Sequence, residues 1–115
     1  MRGYYEVRAK VKAIVDVRPA YVYAALDPNA DYGAVYFDSL GHPSCLVGHY
    51  LASEGYGPGD VIEGRTLQYQ NRLRPDFTYE AWHFLQLVQV YQDTQLPWGD
   101  AYYCAEKEMA DDIAL

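Results

Sequence analysis

The pattern that most limits what this chain can fold into lies between Thr78 and Asp93. Ala81, Phe84, Leu85, Val88 and Tyr91 recur at three- and four-residue intervals, which predicts a helix with one inward apolar stripe; His83, Gln86, Gln89 and Asp93 form a polar stripe beside it. Thr78 is a good N-cap, and Glu80 puts a negative charge in the first turn, where the helix dipole favours it. Arg74-Pro75-Asp76 stops what comes before, and Leu96-Pro97-Trp98-Gly99-Asp100 makes a corner after it. Such a stripe has to be covered by the rest of the chain. With 115 residues there is length for one buried core and not for two, so residues 1–115 read as a single domain.

The remaining elements are expected to supply that cover. Tyr4, Val7, Val11, Ile14 and Val15 fit one helical stripe, although Tyr5 to Val17 also alternates as a strand would. Length favours the helix, because strands usually run to about five or six residues. Pro19 ends the element. Tyr21-Val22-Tyr23-Ala24-Ala25 and Ala34-Val35-Tyr36-Phe37-Asp38 then read as two short strands joined by the turn formers Asp27 to Gly33, which predicts a β-hairpin. A helix is expected from Cys45 to Gly55, a short one within Val61 to Leu73, and a last one over Ala101 to Ile113 carrying Cys104. The expected class is therefore α+β: a short hairpin packed against four to five helices.

The segment Pro43-Ser44-Cys45-Leu46-Val47-Gly48-His49 carries the candidate chemistry, since it places a cysteine and a histidine four residues apart at a helix start. His42, Cys45 and His49 could ligate zinc, with Cys104 or His83 as the fourth ligand, but no short-spaced cysteine pair supports a metal site. A thiol at a helix start with an imidazole in reach could also be a nucleophile, yet no third group to orient the base can be named. The favoured reading gives Cys45 and His49 structural roles, with no metal, no cofactor and no catalytic residue. Gly48 inside the helix costs about 1 kcal/mol relative to alanine, which points to close approach by the hairpin or by the Trp98 corner. Trp98-Gly99 reads as an internal clamp in which the glycine allows the turn. Gly55-x-Gly57-x-Gly59 lacks the lysine and the strand-to-helix setting of a phosphate loop.

Charge narrows the partners. Sixteen acidic against nine basic residues give a net charge of −7, which argues against nucleic acid, and no apolar run is long enough to span a bilayer. Met1 to Glu6 shows no hydrophobic signal region, so a cytoplasmic location with reduced thiols is expected. The 13 tyrosines suit interfaces as well as interiors. They favour a protein partner, and self-association through the hairpin edge or an aromatic helix face fits the same composition.

Two stretches carry a likeness: Tyr21-Val22-Tyr23 leading to Gly41-His42-Pro43-Ser44-Cys45-Leu46-Val47-Gly48-His49, and Leu87-Val88-Gln89-Val90-Tyr91-Gln92-Asp93-Thr94-Gln95-Leu96-Pro97-Trp98-Gly99-Asp100-Ala101. Their order and spacing resemble small uncharacterised proteins encoded by bacteriophages of actinobacteria, mycobacteriophages among them, and by related host genomes. Tyr102-Tyr103-Cys104 and the Asp27 to Gly33 loop depart from that pattern. The resemblance implies an origin and a shape but brings no reaction. The expectation is a small phage or actinobacterial accessory protein that binds a host or phage protein and is not an enzyme, the alternative being zinc or cysteine chemistry at Cys45 and His49.

Overall fold

The computed structural model describes residues 1–23 and 35–113. Four α-helices follow in chain order: α1 (Tyr4–Val17), α2 (Leu46–Ser53), α3 (Tyr79–Asp93) and α4 (Trp98–Ile113). Helices α1 and α3 each pack against the other three, so they form the centre of the molecule. The stripe of α1 points inward as its periodicity requires: Tyr4, Val7, Val11 and Val15 are buried. Thr78 caps α3 by accepting a hydrogen bond from Ala81 N at 3.2 Å. Just before both helices, Arg2 N donates to Asp76 O and Thr78 N to Arg2 O, so α1 and α3 begin side by side.

The expected α+β class is overturned, because the described residues contain no sheet and the architecture is helical. The first expected strand runs into residues 24–34, outside the described part, but its described end, Tyr21 to Tyr23, is committed to α4. Tyr21 O accepts from Trp98 N at 2.8 Å, and Val22 forms an isolated bridge with Pro97. The second segment folds back on the residues that follow it. Val35 O accepts from Cys45 N, Tyr36 O from Ser44 N, and Asp38 N donates to His42 O, with Gly41 at φ +83° in the reversal. The Glu63 carboxylate accepts from the amides of Tyr36 (2.9 Å) and Phe37 (3.1 Å). Backbone groups that a partner strand would have met are satisfied by a side chain and by a local reversal instead.

Two boundaries also move, and the glycine ending expected for α2 holds. The short helix expected within Val61 to Leu73 is a 3-10 turn at Leu67–Tyr69, with further 3-10 turns at Pro58–Asp60 and Arg74–Asp76. Gln70 ties this stretch together, since its Oε1 accepts from Ile62 N while its Nε2 donates to Ile62 O and Arg65 O. Helix α4 starts at Trp98 rather than Ala101, so Trp98-Gly99-Asp100 is its first turn and the corner is Thr94 to Pro97. Helix α2 closes at Glu54 with Gly55 at φ +94°, and Tyr56 N reaches back to Leu51 O while Gly55 N reaches Ala52 O. That pair of bonds is the Schellman ending, which needs a left-handed residue where Gly55 stands.

One member of the polar stripe expected on α3, Gln89, is buried, whereas His83, Gln86 and Asp93 are half-buried. Gln89 and Gln92 are 2% and 1% exposed and serve as internal caps. Gln92 Oε1 accepts from Leu46 N at 2.8 Å, satisfying a first-turn amide of α2, and Gln89 Oε1 accepts from Leu67 N at 2.9 Å. Gln89 Nε2 also donates to the Tyr36 hydroxyl, which in turn donates to Arg65 O. These two glutamines fasten α2 and the 3-10 segment to α3, and burial without such partners would leave several polar groups orphaned.

Candidate functional site

Cys45 is the N-cap of α2, and its sulfur accepts a hydrogen bond from Gly48 N at 3.3 Å. A thiol at a helix start is often acidified, but Cys45 is 1% exposed and burial pushes it up to about 12. His49 lies one turn further on, half-buried, with its ring edge-on to Trp98 at 5.3 Å. Burial, and then the positive charge of Arg18, hold its imidazole below the ordinary value. Both groups are therefore kept neutral, which opposes the thiolate–imidazolium pair that a cysteine nucleophile needs.

The other candidate ligands lie elsewhere. His42 is exposed, with Nδ1 3.8 Å from Asp38 Oδ2. His83 stacks on Tyr79 and sits 3.4 Å from Asp112 Oδ2. Cys104 is half-buried on α4 beside Tyr91 and Lys107. Among the described residues, no three His, Cys, Asp or Glu side chains are placed to hold one metal ion.

Gly48 answers to packing. A Cβ there would stand 2.1 Å from Tyr36 O, so the backbone of the 35–38 segment runs directly over α2. The close neighbour is the segment expected to be a strand, although the described residues form no hairpin. Gly99 is similar: its N donates to Pro19 O at 2.8 Å, and a Cβ would meet that same carbonyl at 3.1 Å.

Trp98 is 1% exposed and joins three parts of the chain. Tyr21 packs edge-on to it at 4.8 Å, His49 lies on another side, and the Arg18 guanidinium sits over the Tyr21 ring at 4.7 Å and the Trp98 ring at 5.4 Å. Beside this stack opens a groove of about 290 Å³ lined by Ile14, Val17, Arg18, His49 and Trp98. Arg18 and this groove were not anticipated from the sequence. The available signal was a basic residue just before Pro19 with Tyr21 close behind, and nothing local ties it to Trp98.

The surrounding cations differ in how they are matched. Arg2 and Lys10 both bond Glu54, and Lys12 bonds Asp16 at 2.9 Å. Among the described residues Arg18 forms no ion pair, and its guanidinium lies over the faces of two rings. Asp93, at the C-terminal end of α3, has the opposite problem: burial raises its carboxyl to about 6, and Gln92 Nε2 donates to its Oδ1 at 2.6 Å.

No protein-family model, curated protein or solved structure matches the chain. Among the described residues no helix is long and apolar enough to cross a membrane.

Proposed function

We propose that this protein acts by binding another protein rather than by catalysis, through the face built around Trp98. The observation that carries the reading is a cluster of exposed apolar side chains around a buried tryptophan: Val17, Tyr21 and Val22 are 77%, 37% and 45% exposed. They are contiguous through Arg18 and through the Val22–Pro97 bridge. Tyrosine and arginine are among the residue types that dominate binding hot spots, and Tyr21 and Arg18, already held against the buried Trp98 ring, lose little entropy on association. The neutral, buried Cys45 thiol speaks against a nucleophile at the one place where the sequence offered one. The two stretches that resemble actinobacteriophage proteins make a phage or its host cell, and its cytoplasm, the setting in which to seek the partner.

A photo-crosslinking amino acid placed at position 17 or 22, and at Tyr79 as an exposed control, tests this in actinobacterial cells. The expected result is one protein adduct from 17 and 22 and none from 79. The purified partner should then lose about tenfold in affinity against Tyr21→Ala. The same adducts from all three positions, or none, would remove the reading.

A further inference from the structure

We infer that the groove beside Trp98 seats a short segment of the partner in which a carboxylate stands next to an apolar side chain. The inference rests on the protein-binding reading above and names the chemistry that this face recognises. Two parts of the groove dictate the two parts of the ligand. Ile14, Val17 and Trp98 give an apolar wall to a space of about 290 Å³, room for a side chain and not for a folded element. Arg18 stands at its edge with the guanidinium laid on the Tyr21 and Trp98 rings. A guanidinium held this way keeps its planar donors for a carboxylate, and its geometry is set before the ligand arrives.

Charge complementarity selects the anion. Arg2 and Lys10 are matched by Glu54 and Lys12 by Asp16, whereas Arg18 has no ion pair among the described residues and lies at the groove. Around His49 the charged group that acts on the imidazole is Arg18, so positive charge in the groove is left without a counter-charge among the described residues. A single cation flanked by apolar walls suits one carboxylate with an apolar neighbour. A phosphate, with more charge and no apolar body, would leave those walls wet and ask for further donors. The neutral imidazole of His49 adds one donor and one acceptor at the groove wall.

The test uses the full chain labelled with ¹⁵N and the peptide acetyl-Ser-Leu-Asp-Ser-amide as probe. Saturable shifts are expected at the Trp98 indole N–H and at the His49 backbone amide, with a dissociation constant in the range of about 1 mM. Binding should weaken about tenfold for Arg18→Gln, and by a similar factor when the peptide's Asp is replaced by Asn or its Leu by Ser. Arg18 is exposed, and the peptide substitutions give the same readout without altering the protein. Equal binding of the Asn peptide, no shift at Trp98, or tighter binding of inorganic phosphate than of the peptide overturns the inference. A crosslinked partner that binds Arg18→Gln as tightly as wild type overturns it too while leaving the protein-binding reading intact. Absence of any crosslink at this face removes that reading instead.

Discussion

Replacing Asp93 with asparagine removes an ionisable group from the joint between α2 and α3 while keeping the carbonyl that accepts from Gln92 Nε2. Burial lifts the Asp93 carboxyl from its ordinary 3.8 to about 6, and its place at the C-terminal end of α3 sets a negative charge against the helix dipole. At 1.36 kcal/mol for each factor of ten in proton affinity, holding the carboxylate ionised in the fold costs about 3 kcal/mol. Asp93 is only partly buried, and water on its open side brings the figure to about 2 kcal/mol. Between pH 3.8 and about 6 the folded chain keeps a proton that the unfolded chain has lost, so this group lowers stability as pH rises through that window. Wild type and Asp93→Asn should therefore be equally stable near pH 3.5. At pH 7.5 the variant should be more stable by about 2 kcal/mol, or about 5 to 10 °C in Tm. Glu63, raised by burial, and Glu54 and Asp38, lowered by their partners, shape the profile of both proteins alike and cancel in the difference. Urea unfolding of both proteins across pH 3.5 to 7.5 reads that difference directly. A variant no more stable at pH 7.5, or an advantage that persists undiminished at pH 3.5, refutes the reasoning.

Two substitutions probe the backbone. Gly48→Ala puts a Cβ 2.1 Å from Tyr36 O, which is backbone and already accepts from Ser44 N, so α2 or the 35–38 segment must move by about 1 Å or more. Denaturant unfolding should show a loss of about 3 kcal/mol despite the better helix propensity of alanine; an unchanged midpoint contradicts the packing described. Gln95 has φ +68°, the left-handed conformation, just past the end of α3. Gln95→Gly should raise stability by about 1 kcal/mol in the same assay, and a destabilised variant would mean that the side chain outweighs the backbone strain.

What could be read from the sequence was what local spacing encodes. The α1 stripe and the α3 stripe from Ala81 to Val88 repeat at helical intervals, and Thr78 announces its helix, because cap and stripe lie within a few residues of one another. The hairpin failed for the converse reason. Tyr21 to Tyr23 and Val35 to Phe37 have strand-like composition, but their hydrogen bonds go to Trp98, Glu63, Ser44 and Cys45, and composition does not say which partner takes a backbone group. Gln89 reads as part of a polar stripe and Gln92 has no role legible in its spacing, because nothing near either in sequence marks a buried amide to cap. The amides they cap lie 22 and 46 residues away. The roles of Gly48 and Trp98 as packing points were legible, whereas the groove was not, since it needs the end of α1, one turn of α2 and the start of α4 to meet.

Cys45 belongs to the joint of α2 and its buried thiol is kept from reagents by the fold. The deciding measurement is the reaction of that thiol with an aromatic disulfide at pH 8 in Cys104→Ser protein, which leaves Cys45 as the sole thiol of the chain. The structure predicts labelling only through opening of the fold, about 10³-fold or more slower than in denaturant, and faster in Gly48→Ala. Labelling of the native protein within about tenfold of the denatured rate would contradict the claim and restore Cys45 and His49 as a reactive pair.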